Sequence, residues 1–389
     1  MPERDGVETK AGASPGGTTV AGSPFRVPAL DGIRAIAAIF VVLFHLHVGF
    51  SRGDSGVDIF FVLSGFLITS ILMRGARQGR IDFAKFYWGR ALRLLPVYFA
   101  VMAVAVAIAV AWHLGGSTLR GALFSFLYVS NWAAGSGEGL GLLTHTWSLS
   151  IEEQFYLVWP LALIGIVTVS RGNGRKAAIG VGVLTVLAYL ALLACWFGGT
   201  STTFAWNFTP ARGMELLVGC SLALVVSEFK GVRLPGAAWH LPDILGLASV
   251  AGLIAIANVQ PHSEWFEMLV EWPLVAGVTA LLILVCLNRD AKVTQRALSL
   301  GPLTTVGKMS YGLYLWHFPV FFVIDASIGL EHWSAKLLAM GIVAAIVPLS
   351  YRFIEQPFLR LKSSGTPNAV RQRMAAVLGR TGLRHVPTE

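Results

Sequence analysis

The stretch 31–47, DGIRAIAAIFVVLFHLH, decides the fold. It lies in an apolar run, 30–50, that is long enough to cross a bilayer as one helix, which takes about 20 residues. Yet it carries a guanidinium, Arg34, and an imidazole, His45. Their separation of 11 residues is close to three helical turns. Both therefore project from one face, roughly 16 Å apart along the axis. Charged groups inside a span are costly and mark function by default. The bland alternative is an Arg34 that snorkels to the interface and a His45 satisfied in the core.

Outward from this helix the whole chain reads the same way. Of 389 residues, 55% are hydrophobic and 13% charged, with a mean hydropathy of +0.66. Soluble domains run at about 45–50% apolar and about 25% charged, so a cytosolic globule and a disordered chain are both excluded. The 42 glycines follow no period, which excludes a fibrous protein. Ten candidate spans follow: 30–50, 56–73, 94–113, 146–169, 177–197, 211–227, 243–259, 270–287, 309–327 and 335–354. The shorter apolar stretch 118–132 reads as a half-inserted or interfacial helix. The expected fold class is all-α, a polytopic membrane bundle of about ten transmembrane helices with both termini cytoplasmic. Residues 1–28 are expected to be a disordered tail rather than a signal peptide. Residues 29–361 form the transmembrane domain and 362–389 a basic cytoplasmic tail.

Charge gives the orientation. The net charge is +9, and 26 of the 30 Lys and Arg fall in segments that are internal if the N-terminus is internal. Only Arg52, Arg120, Arg212 and Lys336 fall elsewhere. This is the positive-inside pattern of a multi-pass membrane protein, and a bacterial cell (inner) membrane is the expected location. It accounts for the basic balance without nucleic acid as a partner, so membrane lipid is the expected surroundings. Cys195, Cys220 and Cys286 lie in separate apolar runs, which suits small core residues and no metal site.

Further polar residues gather on particular faces. In THTWSLSIEEQFYLVWP, His145, Ser148, Glu152 and Tyr156 recur at helical spacing, while Glu153 points about 100° away. Glu152 and His45 fall at similar depth, so a base–orienter pair is expected, with Glu153 either a second carboxylate or the partner of a neighbouring cation. Arg90 and Arg93 close a basic inner loop before Pro96 and suit a phosphorylated cytosolic ligand. SYGLYLWHFPV puts Ser310, Tyr314 and His317 together near mid-membrane. Asp58 at the outer edge of the second span reads as a cap or ion-pair residue. Arg212 with Glu215, and Arg352 with Glu355, have the i, i+3 spacing of structural pairs.

Taken in order, Arg34-x10-His45, GVDIFFVLSGFLI, Arg90-x-x-Arg93, HTWSLSIEEQFYLVWP, SYGLYLWH and RFIEQPF resemble the acyltransferase 3 family of integral membrane O-acyltransferases, over about 29–361. The resemblance implies acyl transfer from cytosolic acyl-CoA, such as acetyl-CoA or a propionyl-type donor, to a hydroxyl. It implies that Arg34 and His45 are the first-span pair, Arg90 and Arg93 the inner-loop pair, and Glu152 the motif carboxylate. Acceptors in that family include envelope glycans and macrolide antibiotics. Many members carry an extracytoplasmic esterase-like domain that is not seen here. The expected acceptor is therefore a small or lipid-linked molecule, first a macrolide or its sugar, as in antibiotic biosynthesis. O-acetylation of a cell-envelope glycan is the alternative. A secondary transporter or flippase is the rival of another class, disfavoured because the two halves show no self-similarity.

The loop asymmetry predicts that cysteines placed at 137 and 173 lie on opposite sides of the membrane. An impermeant thiol reagent added outside should label the first and spare the second; equal labelling would contradict the orientation.

Overall fold

In the computed structural model, the described residues are 27–77, 81–113, 116–228, 240–259 and 263–363. The two expected tails lie outside the described residues, apart from the positions that join them to the helices. Among the described residues, ten helices are long and apolar enough to cross a membrane. They are α1 (Pro28–His45), α2 (Gly56–Arg77), α3 (Phe83–Ala111), α4 (Trp147–Val169) and α5 (Gly174–Phe197). The second half contributes α6 (Thr209–Glu228), α7 (Leu241–Asn258), α8 (Trp272–Leu287, whose span starts at Glu264 in the helical turns before it), α9 (Gly301–Ile328) and α10 (Trp333–Ser350). The fold is all-α and multi-pass, as the composition requires. Helices suit this setting because every backbone polar group inside the bilayer is paired within its own segment.

Two spans begin earlier than hydropathy suggests. Asp82 caps α3, its carboxylate accepting from the Lys85 amide at 2.9 Å. The helix therefore starts 11 residues before the expected 94, and Arg90 and Arg93 stand on its second and third turns instead of in a loop. Pro302, in the first turn of α9, similarly starts that helix at Gly301. The stretch 118–132 resolves into parts of two short helices, Gly116–Phe126 and Ser130–Gly135.

The centre of the bundle is packed by backbone approach. α2 and α6 cross where a Cβ on Gly65 would run into the carbonyl of Leu216, and one on Gly219 into that of Val62. Small residues at crossings let membrane helices come close enough for dispersion to hold them, since lipid offers no hydrophobic drive for association. α1 meets α9 in the same way, with Gly307 against the Asp31 carbonyl.

Two helices depart from the α-helical register. A π-helical turn, Glu267–Glu271, leads into α8, and another, Tyr351–Glu355, follows α10. The second one undoes the expected Arg352–Glu355 pair. An i→i+5 turn inserts a residue and rotates the side chains that follow. Arg352 is exposed beside the Phe353 ring, whereas Glu355 turns inward and is buried against Gly312.

Gly219→Ala should lower the thermal unfolding midpoint of the detergent-solubilised protein, because overpacking costs about 1–3 kcal/mol. Gly277→Ala, whose Cβ would meet open space, should leave it nearly unchanged. Equal midpoints for the two variants would count against the close α2–α6 crossing.

Candidate functional site

A cavity of about 660 Å³ opens between α2, α3, α4 and α9. Arg74, Lys85, Arg90 and Arg93 line it near the α2–α3 connection, with Arg34 reaching in from α1. Ser64, Ser148, Glu152, Ser310 and Tyr314 line its deeper part. One end is cationic and the other carries hydroxyls and a carboxylate.

The cations are not equivalent. Arg90 hydrogen-bonds Glu153 at 2.9 Å, and its guanidinium carbon lies 3.3 Å from the centre of the Tyr156 ring. Glu153 is thus the partner of a neighbouring-helix cation, the second of its two expected roles. Arg34 pairs with Asp31, one turn earlier, at 3.3 Å. Arg93 stands close enough to Arg34 and Arg90 for mutual repulsion and forms no hydrogen bond or ion pair among the described residues, although Asp31 and Glu355 attract it from a distance. Trp88 Nε1 and Arg90 Nε are buried N–H groups without partners, on residues that line the cavity. A site with a repelling cation pair and spare donors suits an anionic ligand rich in acceptors.

Deeper in, Ser64 on α2 donates to Glu152 at 2.7 Å. Sequence reasoning passed over Ser64, although it lies within the quoted GVDIFFVLSGFLI. Tyr314 on α9 shares a hydrogen bond with Ser148 at 2.6 Å and donates to the backbone carbonyl of His145 at 2.9 Å. Across this floor three imidazoles cluster, with ring centres of His45 and His317 5.1 Å apart and those of His145 and His317 5.9 Å apart. Phe318 packs against both His45 and His145.

The expected pairing of His45 with Glu152 is not what the helices form. His45 donates through Nδ1 to the Val41 carbonyl, 2.8 Å away on its own helix, and its ring faces α9. Glu152 faces α2 instead. Similar depth brought the two to one level of the membrane but not to one contact. His145 also leaves its expected helical face, because it sits in the 3-10 turn Gly141–Thr146 before α4 begins. Ser148, Glu152 and Tyr156 do share the cavity face, and Ser310 joins them there from α9.

Of its two expected roles, cap or ion pair, Asp58 takes the ion pair. It is buried and bonds Arg212 at 2.5 Å, and Glu215 stands 2.9 Å from the same guanidinium in the expected i, i+3 pair. Trp272 lies 4.1 Å and Trp206 5.2 Å from the guanidinium carbon, ring centre to atom. This is a cation held by carboxylates and aromatic faces, and it fastens α2, α6 and α8 together. Among the described residues no group of His, Cys, Asp or Glu is arranged to hold a metal ion.

The sequence profile of a family described as an acyltransferase domain matches residues 27–353. The chain belongs to the acyltransferase 3 family. Similar relatives within it are YrhL of Bacillus subtilis, provisionally named a peptidoglycan O-acetyltransferase, and the peptidoglycan O-acetyltransferase OatA of Listeria monocytogenes. They are 33% and 32% identical, each over 351 residues. The O-acetyltransferase OatA of Staphylococcus aureus is 29% identical over 352 residues. These alignments cover 85%, 85% and 86% of this chain but 54%, 55% and 57% of the relatives. The chain thus spans about half the length of the curated relatives it matches. No solved structure matches it significantly.

In this acyltransferase 3 chain, Glu153 and Arg90 should act as one unit. Glu153→Gln and Arg90→Ala are each expected to destabilise the protein, and the double variant should lose much less than the sum, with a coupling of about 0.5–3 kcal/mol. Additive losses in a double-mutant cycle of unfolding midpoints would show that the contact is not formed.

Proposed function

We propose that this chain is a membrane O-acyltransferase that takes an acetyl or similar acyl group from acyl-CoA and passes it to a hydroxyl of a cell-envelope glycan. One observation carries the reading. The cationic cavity and the histidine cluster adjoin through Tyr314 and Ser148, and they approach opposite ends of the bundle. Arg93, with Arg34 beside it, then holds the phosphates of the donor, while Arg90, already paired with Glu153, offers only its unpartnered Nε–H, and the thioester arm lies along the cavity toward Glu152, Ser148 and Tyr314. His45, the last residue of α1, meets an acceptor that arrives from the other side.

The chemistry needs a base, because an alcohol is a weak nucleophile at neutral pH. With its Nδ1 proton on the Val41 carbonyl, His45 keeps the Nε2 lone pair free. Nε2 takes the hydroxyl proton as the oxygen attacks the thioester carbonyl. The C–S bond breaks, and the imidazolium returns the proton to the departing sulfur. Ester and free CoA thiol are the products, with no metal in any step. A backbone carbonyl thus does the orienting that had been expected of Glu152. Glu152 and Ser64 instead form a polar wall beside the donor.

The acceptor assignment follows the relatives. Two of those named above carry peptidoglycan in their names, which favours the glycan alternative over the macrolide reading. The same residues leave a transporter without a reason to place three imidazoles beside a cationic cavity. As the loop charges suggest, the basic end is placed on the cytoplasmic side, where acyl-CoA is made.

Purified protein in proteoliposomes, supplied with acetyl-CoA and peptidoglycan fragments, tests this. His45→Ala should lose about 10²-fold or more in kcat, the contribution of a positioned base. Arg93→Lys should raise KM for acetyl-CoA although charge is kept, because a planar fork becomes a point charge. Near-wild-type turnover in the first variant, or an unchanged KM in the second, would overturn the corresponding assignment.

A further inference from the structure

The three imidazoles leave a set of polar atoms with nothing to bond. A neutral imidazole has one N–H and one lone pair. His45 donates through Nδ1 to Val41, and His317 through Nδ1 to the Leu313 carbonyl at 3.1 Å, so both keep a bare Nε2. No hydrogen bond of normal geometry reaches either nitrogen of His145, although the Leu315 backbone lies near the ring, and none reaches Nε2 of His317. His145 is 3% and His317 0% exposed, so water does not serve them freely. Buried polar groups are ordinarily paired, and those that are not ask for an explanation. A metal does not supply it, since the described residues hold no metal-binding group.

What the cluster offers is one N–H, on His145, and lone pairs on all three rings. A hydroxyl is the complement of two of these groups, because it donates once and accepts twice. Access is present on one side. His45 is only half-buried, and the chain leaves α1 through His47, which is exposed with φ 54°.

Building on the O-acyltransferase reading above, we infer that His145 and His317 complete an acceptor subsite that selects a sugar over a simple alcohol. The reacting hydroxyl donates to Nε2 of His45 and accepts from the N–H of His145. Nε2 of His317 takes a second donor of the acceptor, a neighbouring hydroxyl or an amide N–H. The hydroxyl proton passes to His45 and then to sulfur, and His145 and His317 keep their protons throughout. They are positioning residues. A monofunctional alcohol fills the first two contacts and leaves His317 unpaired, which sets the preference.

The test uses the full chain in nanodiscs with acetyl-CoA and two acceptors: an N-acetylglucosamine–N-acetylmuramic acid disaccharide, and ethanol. His317→Phe should raise the disaccharide KM and lower the preference for disaccharide over ethanol, each by about tenfold or more, while KM for acetyl-CoA changes little. His317→Gln, whose Oε1 reaches the place of Nε2, should recover most of the preference, and His317→Asn, which falls short, should not. A preference unchanged in His317→Phe, or equal losses in the Gln and Asn variants, would overturn the subsite. The Gln–Asn comparison decides the matter by itself if the Phe variant does not fold. No acetyl transfer by the wild-type protein to either acceptor would overturn the underlying activity instead, so the two failures are distinguishable.

Discussion

Arg212 has no contact with water, and much of the bundle is arranged around what that requires. A guanidinium keeps its charge at any ordinary pH, so in a low-dielectric interior it must be matched by anions and donor-satisfying neighbours. Asp58 comes from α2, Glu215 from one turn further along α6, Trp272 from the start of α8, and Trp206 from the short helix before α6. Each is useful only if its helix lies where it does. The neighbouring Arg52 ties the α1–α2 connection to Glu267 and Glu271 in the π-helical turn ahead of α8. Glu267 and Glu271 are four residues apart, a spacing that puts both carboxylates on one face of the turn.

From this anchored core the chemistry is laid out along α9. That helix carries Ser310 and Tyr314 to the cavity and His317 to the imidazole cluster, one face serving both compartments. Tyr314 is the partition between them, held by Ser148 and by the backbone of His145. Because α9 packs tightly on α1 through Gly307, His45 has one place to go, against His317. In the proposed reaction, this layout would keep a charged donor and a polar acceptor apart until their reacting ends meet and would exclude water from an activated acyl group.

The cationic end shows how paired and unpaired charges divide the work. Arg90 is committed to Glu153 and Tyr156 and stiffens the α3–α4 contact. Arg93, with Arg34 beside it, has no such commitment. An anion placed there relieves like-charge repulsion as well as forming hydrogen bonds. Two arginines three residues apart in one motif thus take different parts, because only one of them meets a carboxylate.

Sequence by itself determined the ten spans, the all-α class and the family, since hydropathy, length and motif order survive any detail of packing. It also gave the faces of regular helices, which is why Ser148, Glu152 and Tyr156 were correctly placed together, as were Arg212 and Glu215. Only the tertiary structure decided which faces meet. His45 and Glu152 share a depth but face different neighbours, α9 and α2, and depth along a helix carries no information about azimuth between helices. Local departures from 3.6 residues per turn were equally invisible: the π turn that separates Arg352 from Glu355, and the 3-10 turn that swings His145 out of line with Ser148. Both arise because backbone geometry yields locally when buried charges and close helix crossings elsewhere fix where the chain must run.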